Sequence, residues 1–328
     1  MGCNHARVLR ELGGVGDLII CDTNSKLVNG ISQKYRIASC YKSVFEMMRK
    51  EKLDGVVLST PTDTHYEIAK SILEYEVPLL IEKPISQNCN QAEELVSRFR
   101  DKKIPLMIGY VERFNPVIHQ LKQVIVDIGI DKVLHINLLR IGPFPVRSSL
   151  HTDGVVLDLS THDLDIIHFL FGLKIARVFM TTRMGEKADI YARALLEIGN
   201  DITASCEWSW ISPQRKRFVE VFTSKGCLVA DLSRQDLFFY NHAPTDLDGD
   251  QDHFKLLQFG KFQNEFTKFS VTKKEPLKEE LIYFLKMIDN EAGDNSNQPV
   301  ALMRILEKLY ESSHSRGYVD TNECYAEY

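Results

Sequence analysis

Residues 55–84 read GVVLSTPTDTHYEIAKSILEYEVPLLIEKP, and this stretch decides the fold. Gly55-Val-Val-Leu-Ser59 and Pro78-Leu-Leu-Ile-Glu82 are short apolar runs, the pattern of strands covered on both faces in a parallel sheet. Between them, the segment from His65 to Tyr75 places Ile68, Ala69, Ile72 and Leu73 on one helical stripe. Parallel strands need such a crossover, so the stretch reads as one βαβ unit. The same grammar continues in both directions. Upstream stand a helix over residues 4–13, the strand Asp17-Leu-Ile-Ile-Cys-Asp22, a helix from Ser25 to Tyr35 and another from Val44 to Lys50. Downstream stand a helix from Gln91 to Lys102 and the strand Pro105-Leu-Met-Ile-Gly109. Strand and helix in alternation predict a doubly wound α/β domain.

Past Arg113-Phe-Asn-Pro116 the pattern changes and strands predominate. Lys132 to Arg140, Ala176 to Arg183, Ile190 to Ile198, Ile202 to Trp210, Phe218 to Thr223 and Cys227 to Asp231 read as strands, with one helix near Asp163 to Phe171. Leu277 to Asn290 and Val300 to Ser313 read as closing helices around a polar loop, residues 291–298. The expectation is an α/β domain over residues 1–113 and an α+β domain over 114–328 with a large, mostly antiparallel sheet. The last helix is placed to pack back on the first domain.

The chain has 328 residues, and its 40 Lys and Arg against 45 Asp and Glu leave a net charge of -5. That balance gives no footprint for a nucleic-acid partner. Seven cysteines lie scattered without a CxxC pair, so reduced thiols are expected rather than a disulfide framework or a zinc site. No apolar stretch is long enough to span a membrane, and the opening MGCNHARVLREL has no leader core. A cytoplasmic location is expected.

Three places carry chemistry. Asp22 closes a predicted strand twenty residues after Gly2, where a carboxylate in a dinucleotide-binding unit meets the ribose hydroxyls. Its charge opposes a 2′-phosphate and favours NAD over NADP; otherwise it is a solvated turn residue. Glu82-Lys83-Pro84 ends a parallel strand, the end at which such sheets place ligands, so Lys83 is a functional ammonium or an exposed turn lysine. In Gly154-Val-Val-Leu-Asp158-Leu-Ser-Thr-His162-Asp163-Leu-Asp165, Asp158 and His162 stand four apart and share a helical face. The His162-x-x-Asp165 spacing also fits metal ligands, but no third ligand is evident nearby and no metal is assigned. His168, on an apolar stripe, reads as a core histidine.

Thr60-Pro61 with His65, then Glu82-Lys83-Pro84, Gly109 with Arg113-Phe-Asn-Pro116, and Asp158 with His162 and Asp165 stand in an order and spacing that resemble the Gfo/Idh/MocA oxidoreductases. The resemblance covers nearly the whole chain. It implies an N-terminal Rossmann NAD-binding domain and a C-terminal substrate-binding and oligomerisation domain. It implies Lys83 and His162 beside the reacting sugar carbon, with Asp158 as orienter or substrate contact and the proton acceptor left open between Lys83 and His162. For NAD it implies Gly2, Asp22, Thr60, His65, Glu82, Lys83 and Arg113. The run Arg140-Ile-Gly-Pro-Phe-Pro-Val-Arg147 resembles the branch that oxidises UDP-N-acetylglucosamine and related UDP-sugars at C3. It makes Arg140 and Arg147, with Asp158 and His162, the substrate residues, because guanidinium forks suit a diphosphate. The stretch from Trp208 to Arg217, with Arg215-Lys-Arg217, is a weaker candidate of the same kind, or part of a subunit interface. The implied partners are a small-molecule substrate and further copies of the chain, as a homodimer or homotetramer. Alternatives are a free-sugar or inositol dehydrogenase, or a non-catalytic binding protein that kept the fold.

The resemblance departs at the start. The family opens with a strand and a G-x-G-x-x-G turn, and Met1-Gly2 matches only the last glycine. The expectation is that an in-frame segment of about ten residues, ending in G-x-G, lies upstream, and that the chain as written binds NAD poorly.

Overall fold

The computed structural model describes residues 1–37, 39–145, 154–172, 174–199, 201–241, 266–289 and 298–325. It opens on helix α1 (Gly2–Glu11), and five short parallel strands follow in two sheets. β1 (Ile19–Cys21) pairs with β2 (Ser39–Tyr41), while β3 (Val56–Leu58), β4 (Leu79–Glu82) and β5 (Leu106–Gly109) lie side by side in chain order. Every residue of β4 and β5 is buried, which is why those runs are uninterruptedly apolar. The connecting helices are α2 (Ser25–Tyr35), α3 (Val44–Lys50), α4 (Thr62–Leu73) and α5 (Cys89–Asp101). Their starts are chemically set. Asn24 accepts from the amides of Lys26 and Leu27, and Asn88 from that of Gln91.

The sequence reading missed β2, whose three residues are too few to show a period. It also missed α6 (Pro116–Ile128), although the signals were present. Asn115 caps it, Pro116 occupies its first turn, and Val117, Ile118, Leu121, Val124 and Ile125 form its buried stripe.

The second domain is a nine-stranded sheet in the order β13-β12-β11-β10-β6-β9-β8-β7-β14. Its members are β6 (Val133–Pro143), β7 (Ile175–Met184), β8 (Asp189–Ile198), β9 (Ile202–Ser209), β10 (Ile211–Thr223), β11 (Gly226–Asp231), β12 (Asp236–Asn241), β13 (Phe266–Phe269) and β14 (Val319–Asp320). All pairings are antiparallel except β6 with β9. α6 and α7 (Thr161–Phe171) lie over one face of this sheet.

Two further helices join the domains. α8 (Pro276–Ile288) packs Leu277, Leu281, Phe284 and Met287 against Val8 of α1, Leu80 of β4 and Met107 of β5. Each such side chain contributes on the order of 2 kcal/mol through burial alone. α9 (Gln298–Ser315) packs on both β7 and α5. The carboxyl ends of β3 to β5 thereby face the start of α7.

Candidate active site

Lys83 follows the last residue of β4, so its backbone is fixed by a strand buried on both sides. The loop around it is tied twice. His65, on α4, sets its two ring nitrogens 2.9 Å from the carbonyl oxygens of Thr60 and Pro84, joining the loop after β3 to the loop after β4. Glu82 turns the other way, and its carboxylate lies 2.6 Å from His5 Nε2 on α1.

From this base Lys83 Nζ donates to Asp158 twice, to the carbonyl oxygen at 2.6 Å and to Oδ1 at 2.7 Å. Asp158 sits in a widened π-helical turn, Val156–Ser160, that runs into α7. Such turns are frequent at functional sites. The turn is anchored from β8, where Asp189 accepts from the Val156 amide at 2.7 Å. Gly154 just before it has φ 73°, and a Cβ there would strike the Asp189 carboxylate, so only glycine fits.

His162 lies one turn past Asp158, yet the carboxylate is turned toward Lys83 rather than toward the imidazole. Neither ring nitrogen of His162 has a hydrogen-bond partner among the described residues, and Nδ1 is enclosed. Burial, then the charges of Lys83, Arg140 and Arg217, hold its pKa well below the ordinary histidine value. The ring is neutral at neutral pH. For Asp158, burial opposes ionisation, but Lys83, with Arg217 and Arg140 further off, outweighs it and holds the carboxyl below its usual range.

Arg140 and Arg113 have surroundings different from those expected. Arg140 is 3% exposed. Its Nε donates to Asp163 Oδ1 and its Nη1 to Glu112 Oε1, each at 2.8 Å, while Trp208 Nε1 closes on the second Asp163 oxygen at 2.8 Å. A guanidinium so enclosed is an internal ion pair, and the expected substrate contact at Arg140 is corrected on that ground. Arg113 pairs with Asp165, whose carboxyl is raised by burial to about 6 despite the arginine. That guanidinium therefore faces α7 rather than standing free for a cofactor. Arg147 lies outside the described residues. His65, 1% exposed, and Glu82, 6% exposed, brace the loop from beneath.

The sequence reading missed Glu112 and Glu280, and it assigned no partner to Asp163 or Trp208. Asp163 was in view as the neighbour of His162, but nothing local reveals that Arg140 and Trp208 converge on it. Glu280, on α8, is buried close to His5 and Glu82, and both its carboxyl oxygens lack a hydrogen-bond partner among the described residues.

Residues 1–110 match the family described as "Oxidoreductase family, NAD-binding Rossmann fold", and residues 118–229 match the GFO/IDH/MocA C-terminal domain. The chain belongs to the Gfo/Idh/MocA family. Among relatives, UDP-N-acetylglucosamine 3-dehydrogenase of Acidithiobacillus ferrooxidans is 28% identical over 76% of this chain and 76% of its own. Its solved structure superposes with a TM-score of 0.79 over 96% of this chain and 94% of that one, at 21% identity. Myo-inositol 2-dehydrogenase of Thermotoga maritima is 24% identical over 72% of this chain and 73% of its own. A levoglucosan dehydrogenase solved with NADH reaches a TM-score of 0.83 over 98% of this chain and 96% of its own, at 15% identity.

As a Gfo/Idh/MocA oxidoreductase, the chain is of NAD type, and the residues present fit that cofactor. A Cβ on Gly2 would come within 2.9 Å of Ser59 Oγ, so the glycine lets the start of α1 approach the end of β3. Close approach of this kind is the role of the last glycine in the dinucleotide fingerprint. Asp22 follows β1, and its Oδ1 accepts from the Asn24 amide at 2.7 Å, leaving Oδ2 for a ribose hydroxyl.

Proposed function

We propose that this chain oxidises a secondary hydroxyl of a sugar to a ketone with NAD as acceptor, and that the sugar is UDP-N-acetylglucosamine or a related UDP-sugar reacting at C3. The chemistry rests on one observation: a neutral imidazole, His162, unpartnered among the described residues, beside the Lys83–Asp158 ion pair at the carboxyl end of β4. When bound, NAD accepts the hydride. His162 takes the hydroxyl proton, since a base must start unprotonated and this ring is held so. Lys83, locked in place by Asp158, presents positive charge to the oxygen as negative charge develops on it. The likeness to UDP-N-acetylglucosamine 3-dehydrogenase supports the substrate. Absorbance of NADH across a panel of UDP-sugars tests it.

The likeness to myo-inositol 2-dehydrogenase supports a free polyol as the second reading. The same panel with myo-inositol and free N-acetylglucosamine separates the two. Turnover of inositol alone favours the second, and binding without turnover of any member favours a non-catalytic role. Asp22 should give NAD a lower Kd than NADP by calorimetry, and tighter NADP binding would remove Asp22 from the cofactor site.

The proposed assembly is a homodimer or homotetramer through the face of the large sheet opposite α6 and α7. That face carries Leu195, 45% exposed, and Phe266, 59% exposed. Sedimentation equilibrium of the wild-type chain and of Leu195→Glu checks it. Among the described residues no helix is long and apolar enough to cross a membrane.

A further inference from the structure

We infer that Arg217 is the anion-binding residue of this site and takes a phosphate or carboxylate group of the substrate. The inference deepens the proposed activity and rests on the same cleft, but not on which sugar is oxidised.

Arg217 on β10 stands directly opposite Arg140 on β6. It shares the face of the buried residues Val219 and Val221, the face covered by α7, so both guanidinium groups enter the interior side by side. Like charges in facing positions destabilise a sheet. For Arg140 the chain supplies Glu112 and Asp163. For Arg217, among the described residues, it supplies a single long hydrogen bond, from Nη1 to the Ile141 carbonyl at 3.5 Å.

None of the neighbouring acids can turn to it cheaply. Asp163 divides its two oxygens between Arg140 and Trp208. Glu112 divides its own between Arg140 and Asn115. Asp158 holds Lys83. Among the described residues the fork of Arg217 therefore has unused donors in a partly buried place, and its charge is felt at Asp158 and His162. Burial, then Arg140, lowers its pKa to about 10, which leaves it charged at neutral pH. A cation with unused parallel donors beside a reacting centre suits a planar or tetrahedral oxyanion.

The test is calorimetric titration of the full-length chain and of Arg217→Gln and Arg217→Lys with three probes: UDP and inorganic pyrophosphate as phosphate sources, and glucuronate as a carboxylate source. At least one probe should bind the wild type, about ten- to a hundredfold more weakly to Arg217→Gln, with Arg217→Lys between them. The probe that responds identifies the anion. Melting temperature serves as the control, because removing a like charge beside Arg140 should leave Arg217→Gln at least as stable as the wild type. If all three proteins bind every probe equally, or none binds any, the inference is overturned. It is also overturned if Arg217→Gln melts several degrees lower while Arg217→Lys keeps full affinity. Loss of anion binding in Arg217→Gln, together with no turnover of any UDP-sugar by the wild type, leaves Arg217 standing and removes the UDP-sugar reading instead.

Discussion

Two polar clusters lie beneath α7, and they differ in how completely their groups are paired. Around Arg140, the guanidinium is matched by Glu112 and Asp163, and Trp208 takes up the remaining Asp163 oxygen. Around His162, Lys83 and Asp158 satisfy each other while the imidazole has no partner among the described residues. Buried polar groups are nearly always hydrogen-bonded, so a completed network holds a structure together and an incomplete one is kept for something else. The difference teaches that burial of a charged residue does not mark a site. The unmet valence does.

The comparison breaks most visibly if the two clusters respond alike to mutation. His162→Ala should lower kcat by roughly two to four orders of magnitude with little change in melting temperature. Lys83→Ala should lower kcat as far and also lower the melting temperature, because it strands the largely buried Asp158 carboxylate. Arg140→Met should do the reverse of His162→Ala by stranding Glu112 and Asp163, costing about 3–5 kcal/mol of stability in urea unfolding. Should His162→Ala unfold the protein and Arg140→Met leave it as stable as before, the assignment of roles is inverted.

Acidity sharpens the contrast further. Because His162 is held neutral, kcat/KM should stay flat as pH falls to the ordinary histidine value of 6.5 and decline only below it. An acid limb centred at or above that value would show that the imidazole is not shielded by burial and by its cationic neighbours.

A third polar cluster, His5, Glu82 and Glu280, gives the smallest effect. Burial, then the charges of Glu82 and Asp165, raises Glu280 well above its ordinary 4.5, so the folded state holds that proton more tightly than the unfolded state does. The associated stability is complete below the ordinary value and is lost as pH rises toward the folded one. Glu280→Gln is neutral throughout. It should therefore lose less melting temperature than the wild type as pH rises above the ordinary carboxyl value. Parallel curves would show that Glu280 carries no such proton.

Much of the first domain was legible because β4 and β5 are buried along their whole length and α2 and α5 are capped by Asn24 and Asn88. Leu79–Glu82 and Leu106–Gly109 were read to within a residue. The second domain was legible as a list of strands but not as a sheet. The order that places β6 between β9 and β10 depends on contacts across long loops, which no local pattern encodes. β12 and β13 were overlooked altogether, although Phe238 and Phe239 give β12 a strand-like composition. At the site, the short motifs identified Lys83, Asp158 and His162, whereas the roles of the arginines depended on partners distant in sequence. Arg140 and Arg217 are both basic residues near the same motif, and only their acids distinguish them.

The position of β6 also bears on how a ribosome delivers this fold. β6 leaves the exit tunnel before either of its neighbours, since β9 spans Ile202–Ser209 and β10 spans Ile211–Thr223. During that interval Ile136 and Leu138, fully buried in the finished protein, have no strand on either side. The hairpin of β7 and β8 can close meanwhile, and β9 can extend it, but the sheet is then one wing waiting for an older strand to dock in parallel. Long-range parallel docking of this kind is slow, and an unpaired apolar edge is a template for association with other chains. A nascent chain arrested near residue 200 therefore exposes its stickiest strand, and chaperone occupancy during translation should peak over that interval and fall once β10 has emerged.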